Sequence, residues 1–74
     1  MRAPALTERL TNALRAQREA RGWTQAELAA RVGVSRKTIN TIENDVFVPS
    51  TLTALKIAAA FGCAVEALFA ISSD

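Results

Sequence analysis

The sequence predicts an all-α fold: five short helices packed compactly in a single domain over residues 1–74, with the core at about 6–70. Three observations lead there. Half of the 74 residues are hydrophobic, largely alanine, which suits close-packed helices better than a sandwich of sheets. Apolar residues recur at helical spacing in successive segments. Stop and start residues separate those segments: Gly22 before Thr24, Gly33 before Ser35, Pro49 before Ser50, and then Gly62. A chain this short is near the lower limit for a self-sufficient core, so pairing of two copies is expected.

The first helix is predicted over about Thr7 to Arg21. Leu6, Leu10, Ala13, Leu14 and Gln17 fall on one stripe at i, i+4, i+7, i+8 and i+11. Pro4 suits its start, Glu8 the positive end of its dipole, and Gly22 its end. Thr24 and Glu27 have the T-x-x-E spacing of a capping box, which starts the second helix at Gln25 and carries it to Val32. Leu28, Ala29 and Val32 form its apolar face, and Trp23 sits where a hydrophobic staple would pack. Gly33 supplies a tight turn, because positive φ costs least at glycine. Ser35 then caps a third helix over about Arg36–Asn44.

The segment 45–49, DVFVP, has no helical period and is read as an unusually apolar loop. Ser50 or Thr51 caps a fourth helix, with Leu52, Leu55, Ala59 and Phe61 expected inward and Gly62 as its stop. A fifth helix is expected over about Val65–Ala70, followed by a frayed tail at Ser72, Ser73 and Asp74.

Composition removes several classes of function. There is no histidine, and Cys63 is the single cysteine, with no evident base to activate it. No catalytic residues, metal ligands or cofactor are therefore expected, and the scattered carboxylates read as solvated or ion-paired. One cysteine cannot form an internal disulfide, and no apolar run approaches the roughly 20 residues of a membrane span. A signal-peptide core is missing from MRAPALTERL, so the expectation is a cytoplasmic protein without a membrane partner. Charge is uneven. Residues 1–44 carry eight basic side chains against four acidic ones, whereas residues 45–74 carry Lys56 against Asp45, Glu66 and Asp74. A basic half suits a polyanionic partner.

Helical phase locates the face that would meet it. At about 100° per residue, Ile39 and Ile42 set the inward direction of the third helix. Lys37, Asn40, Thr41 and Asn44 then fall outward, with Arg36 at the flank. Arg and Lys can donate to guanine O6 and N7, Asn can pair with adenine, and Thr offers a hydroxyl or a methyl. Glu43 lies near the inward edge, where an unpaired carboxylate would be costly, and Arg18 is its expected partner.

The stretch QAELAARVGVSRKTINTIEN, residues 25–44, resembles the helix-turn-helix of the Xre/Cro family of regulators, which includes the lambda-type phage repressors. The match runs through Gln25, Leu28, Ala29, Gly33, Val34, Ser35, Ile39, Ile42, Glu43 and Asn44. It extends into the flanks LRAQREARGWTQ and VPSTLTALKIAAAFGCAVEALF, covering about residues 6–70. The resemblance implies a lambda-repressor-like DNA-binding domain whose motif is formed by helices 2 and 3. It implies that Gln25, Ser35 and Asn44 hold phosphates, and that Arg36, Lys37, Asn40 and Thr41 face base edges. It also implies a structural ion pair between Arg18 and Glu43. Two positions depart from the family: Asp45 replaces the usual left-handed glycine, and Ala64 replaces a Ser or Thr cap.

The function expected is sequence-specific transcriptional regulation, with a homodimer on a two-fold-related stretch of double-stranded DNA and repression as the simplest outcome. Phe47, Val48, Leu68, Phe69 and Ile71 are the candidate dimer interface, although Phe47 and Phe69 could equally fold back onto the core. The alternative is an antitoxin-like or other protein-interaction module, in which those apolar segments bind a protein partner.

Overall fold

The computed structural model describes residues 8–72. Its order is β1 (Arg9–Asn12), α1 (Leu14–Ala20), α2 (Gln25–Val32), α3 (Arg36–Glu43), α4 (Thr51–Phe61), one 3₁₀ turn (Val65–Ala67) and β2 (Phe69–Ser72). Side-chain caps fix where three of the helices begin. Thr24 Oγ1 accepts from the Glu27 N–H at 3.0 Å while the Glu27 carboxylate accepts from the Thr24 N–H at 3.0 Å, closing a capping box. Ser35 caps α3 and Ser50 caps α4, each accepting an N–H three residues on at 3.1 Å. Each such cap contributes about 1 kcal/mol.

The core draws one or two large side chains from every helix. Leu14, Leu28, Ile39, Ile42 and Ile57 are fully buried, and Val32, Phe61, Leu68 and Phe69 close around them. Trp23 stacks on Phe61 with ring centroids 5.5 Å apart, and the Arg31 guanidinium lies 4.1 Å from the Trp23 ring centroid. Trp23 is thus a packing residue. No helix among the described residues is long and apolar enough to cross a membrane.

The all-α, five-helix expectation needs correction at both ends. The described residues form four α-helices and a two-stranded antiparallel sheet that pairs Leu10 with Ile71 and Asn12 with Phe69. The first helix starts at Leu14 rather than near Thr7. The reason lies at Asn12, whose Oδ1 accepts from the Leu14 N–H at 3.1 Å, while its Nδ2 donates to Ile42 O at 2.9 Å and Asp45 Oδ1 at 3.0 Å. An asparagine that satisfies backbone in this way marks a helix start rather than an interior. Leu10 still packs against the core, but from a strand. Leu6 and Pro4 lie outside the described residues.

At the other end the expected fifth helix shrinks to the 3₁₀ turn, and Ala64, at the capping position before it, makes no side-chain cap bond. Ser72 is paired in β2 opposite Arg9 rather than frayed, whereas Ser73 and Asp74 are outside the described residues. The fourth helix forms where expected but is rotated. Leu52 and Leu55 are 67% and 54% exposed and Ala59 is exposed, while Ile57, Ala58 and Phe61 are buried with Ala54 beside them. Residues 54, 57, 58 and 61 form the inward stripe, which lets small alanines bring α4 close to its neighbours.

Candidate nucleic-acid interface

The α2–α3 pair is joined at Gly33, which takes φ +84°, the left-handed region where a Cβ is strained. Val34 packs partly against the core, and Ser35 starts α3. Ile39 and Ile42 anchor α3 inward. Arg36, Lys37, Asn40 and Asn44 are exposed along its outer side. Thr41 is only half exposed, and its hydroxyl is turned back on the helix, donating toward Lys37 O at 3.0 Å and Thr38 O at 2.9 Å. Ser35 is exposed, but its hydroxyl is committed to the cap.

Behind this face lies a polar network centred on Glu43, whose side chain is 0% exposed. Arg18 Nε donates to one carboxylate oxygen at 2.7 Å and its Nη2 to the other at 3.1 Å. Arg18 Nη1 also donates to Trp23 O at 2.8 Å. The Gln25 amide donates to Glu43 Oε1 at 3.1 Å, and Arg15 Nε reaches the same oxygen at 3.4 Å. One carboxylate therefore ties α1, α2 and α3 together. Burial pushes the Glu43 carboxyl upward, but the hydrogen bonds from Arg18, Gln25 and Arg15 and the charge of Arg18 together outweigh it. The net displacement is below the ordinary glutamate value.

The network continues to the outer face. Gln25 Nε2 donates to Asn40 Oδ1 at 3.2 Å. Asn44 Nδ2 donates to the same Oδ1 at 3.1 Å and to Asn40 O at 2.9 Å. Arg15 Nη2 donates to Asn44 Oδ1 at 3.1 Å. Asp45 follows with φ +60°, taking the left-handed turn with its carboxylate held by Asn12.

The structure thus brings Gln25, Asn40, Asn44 and the Arg18–Glu43 pair into one bonded group, with Arg36 and Lys37 on the same exposed helix. Sequence reasoning missed Asn12 and the bridging of Glu43 and Asn44 by Arg15. Arg15 had a signal, since it lies one turn from Arg18 on the same helix. Asn12 had a weaker one, as a cap-type residue just before a helical run.

The candidate dimer residues separate. Leu68 and Phe69 are 2% and 8% exposed, so they belong to this chain's own core rather than to an open interface. The 3₁₀ turn and β2 direct them inward. Phe47, Val48 and Ile71 remain open. Val46 and Phe47 border a cleft of about 310 Å³ with Lys37, Thr38 and Thr41, beside the outer face of α3. Val48 instead borders a larger groove of about 510 Å³ with Leu10, Ala54, Leu55, Val65 and Phe69.

Comparison with known proteins agrees with this geometry. A family model described as Helix-turn-helix matches residues 14–68. An uncharacterized HTH-type transcriptional regulator of Methanocaldococcus jannaschii is 40% identical over 65 residues, covering 88% of this chain and 98% of that protein. Antitoxin HipB of Escherichia coli O6:H1 is 42% identical over 48 residues, covering 65% of this chain and 51% of that protein. Among solved structures, a hypothetical transcription factor, NHTF, from Neisseria superposes with a TM-score of 0.68 at 32% identity. That likeness covers 72% of this chain and 60% of NHTF, so the chain spans less than two thirds of the solved relative.

Proposed function

This chain belongs to the Xre-type helix-turn-helix family of transcriptional regulators, and on that premise we propose that it is a sequence-specific repressor acting on a two-fold-related operator. The observation that carries this reading is the exposed polar side of α3, held in one orientation by the Glu43 network. A helix about 10–12 Å across fits a major groove about 12 Å wide. Arg36, Lys37 and Asn40 would reach base edges. Thr41, with its hydroxyl used within α3, would offer its methyl. Gln25, Ser35 and Asn44, together with the N-terminal backbone of the helices, would hold phosphates and set the register. Occlusion of the site would be enough for repression, and the protein would act in the cytoplasm.

Two copies would place their α3 helices in successive major grooves roughly 34 Å apart. The open apolar side chains Val48 and Leu55, which border the larger groove, together with exposed Leu52 and Ile71, favour this pairing. In this reading the dimer surface would lie on α4 and β2, over the groove that Phe69 lines.

A second reading has one observation behind it. HipB, a relative, is named an antitoxin, and the same apolar groove would suit a protein partner. Selection from random duplex DNA by the purified protein decides the first reading. A two-fold-related motif is the expected result, and failure to enrich any sequence would sink specific DNA binding. Sedimentation at tens of micromolar separates a homodimer from a monomer that awaits a different partner.

A further inference from the structure

The Glu43 network does more than position α3; it fixes which end of the Asn40 amide faces outward. A carboxylate oxygen only accepts, so the Gln25 atom within 3.1 Å of Glu43 is its N–H₂ group. That same group lies 3.2 Å from the Asn40 amide, and the atom it meets must be the carbonyl oxygen. Asn44 gives the same answer independently. Its N–H₂ group donates to the Asn40 backbone carbonyl at 2.9 Å, which again only accepts, and to the Asn40 side-chain oxygen at 3.1 Å. The guanidinium of Arg15 donates to the other end of the Asn44 amide at 3.1 Å, which removes the flipped alternative. Two donors, each oriented by an obligate acceptor, therefore hold Asn40 Oδ1 toward the protein.

We propose that Asn40 reads DNA as a donor, through its N–H₂ group, and that the network makes it prefer a G·C pair to an A·T pair. This rests on the reading of α3 as the base-contacting helix. The bidentate contact of asparagine with adenine needs the carbonyl oxygen to accept from adenine N6 and the N–H₂ to donate to N7. Here the oxygen is engaged twice, and an N–H₂ group facing adenine N6 would meet another donor. Guanine offers two acceptors, N7 and O6, to the two N–H bonds of the amide. Gln25 and Asn44 are positioning residues for this choice, whatever phosphates they also hold.

The test is base preference at one position. Selection with the wild-type protein gives the site, and Asn40→Ala identifies the base pair whose preference depends on Asn40. At that position we expect G·C over A·T by about tenfold, the equivalent of about 1.4 kcal/mol. Asn44→Ala should reduce the ratio, and Gln25→Ala with Asn44→Ala should bring it within about threefold of unity. Because each ratio is taken within one protein, a general loss of phosphate contact cancels, and circular dichroism checks that the variants are folded. An A·T preference in the wild type overturns the proposal, as does a G·C preference that neither variant moves, or an Asn40→Ala protein that selects an unchanged site. Those results leave specific DNA binding intact. Selection that enriches no motif at all removes both readings.

Discussion

Where α3 meets α1 and α2, the chain adds directional polar bonds to its apolar core; where α4 meets α2 and the 3₁₀ turn, it uses apolar contact and leaves much of its outer surface bare. Glu43 gathers Arg18, Gln25 and Arg15 around a fully buried carboxylate. Ile57, Ala58 and Phe61 bury the inner side of α4, while Leu52 and Leu55 stay in solvent on the other. The contrast matches the roles proposed for the two regions. A hydrogen-bonded network admits one arrangement and so suits a surface that must present base-reading groups at fixed angles. Exposed leucines such as Leu52 and Leu55 gain by being covered, which is what the proposed pairing of two copies would supply.

The largest expected effect attacks the polar region. Glu43→Ala leaves the Arg18 guanidinium, only 11% exposed, without its carboxylate. Breaking a buried pair from one side costs about 3–5 kcal/mol, a large share of the roughly 5–15 kcal/mol that holds a domain folded. Urea denaturation should show this as a collapse of the midpoint; a loss under 1 kcal/mol would mean that the network is ornamental.

A gentler probe of the same site is pH. The folded Glu43 carboxyl titrates below its usual value near 4.5, so the folded state binds fewer protons there than the unfolded chain. Its stabilisation is complete above that value and is lost as pH falls through the depressed folded value. The urea midpoint should therefore drop on acidification below about pH 4.5, and Glu43→Gln should flatten that drop. Some acid sensitivity should survive in this variant. The Glu27 carboxyl is also held low by the Thr24 backbone and hydroxyl in the capping box.

The apolar region should respond in the opposite manner. Ala64 has the extended backbone of a capping residue but no side-chain acceptor, so Ala64→Ser should add about 1 kcal/mol, read as a raised thermal midpoint. Smallest in its effect on the monomer is Leu55→Glu, expected to alter stability by less than about 0.5 kcal/mol because the site is open. The same change should abolish pairing in sedimentation if α4 carries the dimer. A variant that still pairs would move the interface elsewhere, toward the Val46–Phe47 side.

Much of the α2–α3 region was legible in the residues. The capping box, the Gly33 turn, the Ser35 cap and the inward Ile39 and Ile42 are all signals within a few positions along the chain. The Arg18 pairing could be inferred because a carboxylate near the inward edge requires a partner. The α4 phase could not be read in the same way. Lys56 is the single charged residue of TLTALKIAAAF and lies on the exposed side with Leu52, Leu55 and Ala59, but one charge was a weak mark and the two leucines misled by size.

By itself, then, the sequence determined where three helices start, where the turn falls, and that a polar helix face would be left outside the core. The tertiary structure alone decided that the chain ends form a sheet, since Arg9 finds its partner at Ser72 and local periodicity carries no information about so distant a pairing. It also decided the rotation of α4, which depends on the shape of the neighbouring helices. Finally, it decided the sense of the Asn40 amide. That sense is set by hydrogen bonds running from Glu43 through Gln25 and from Arg15 through Asn44, groups that meet only once α1, α2 and α3 have packed.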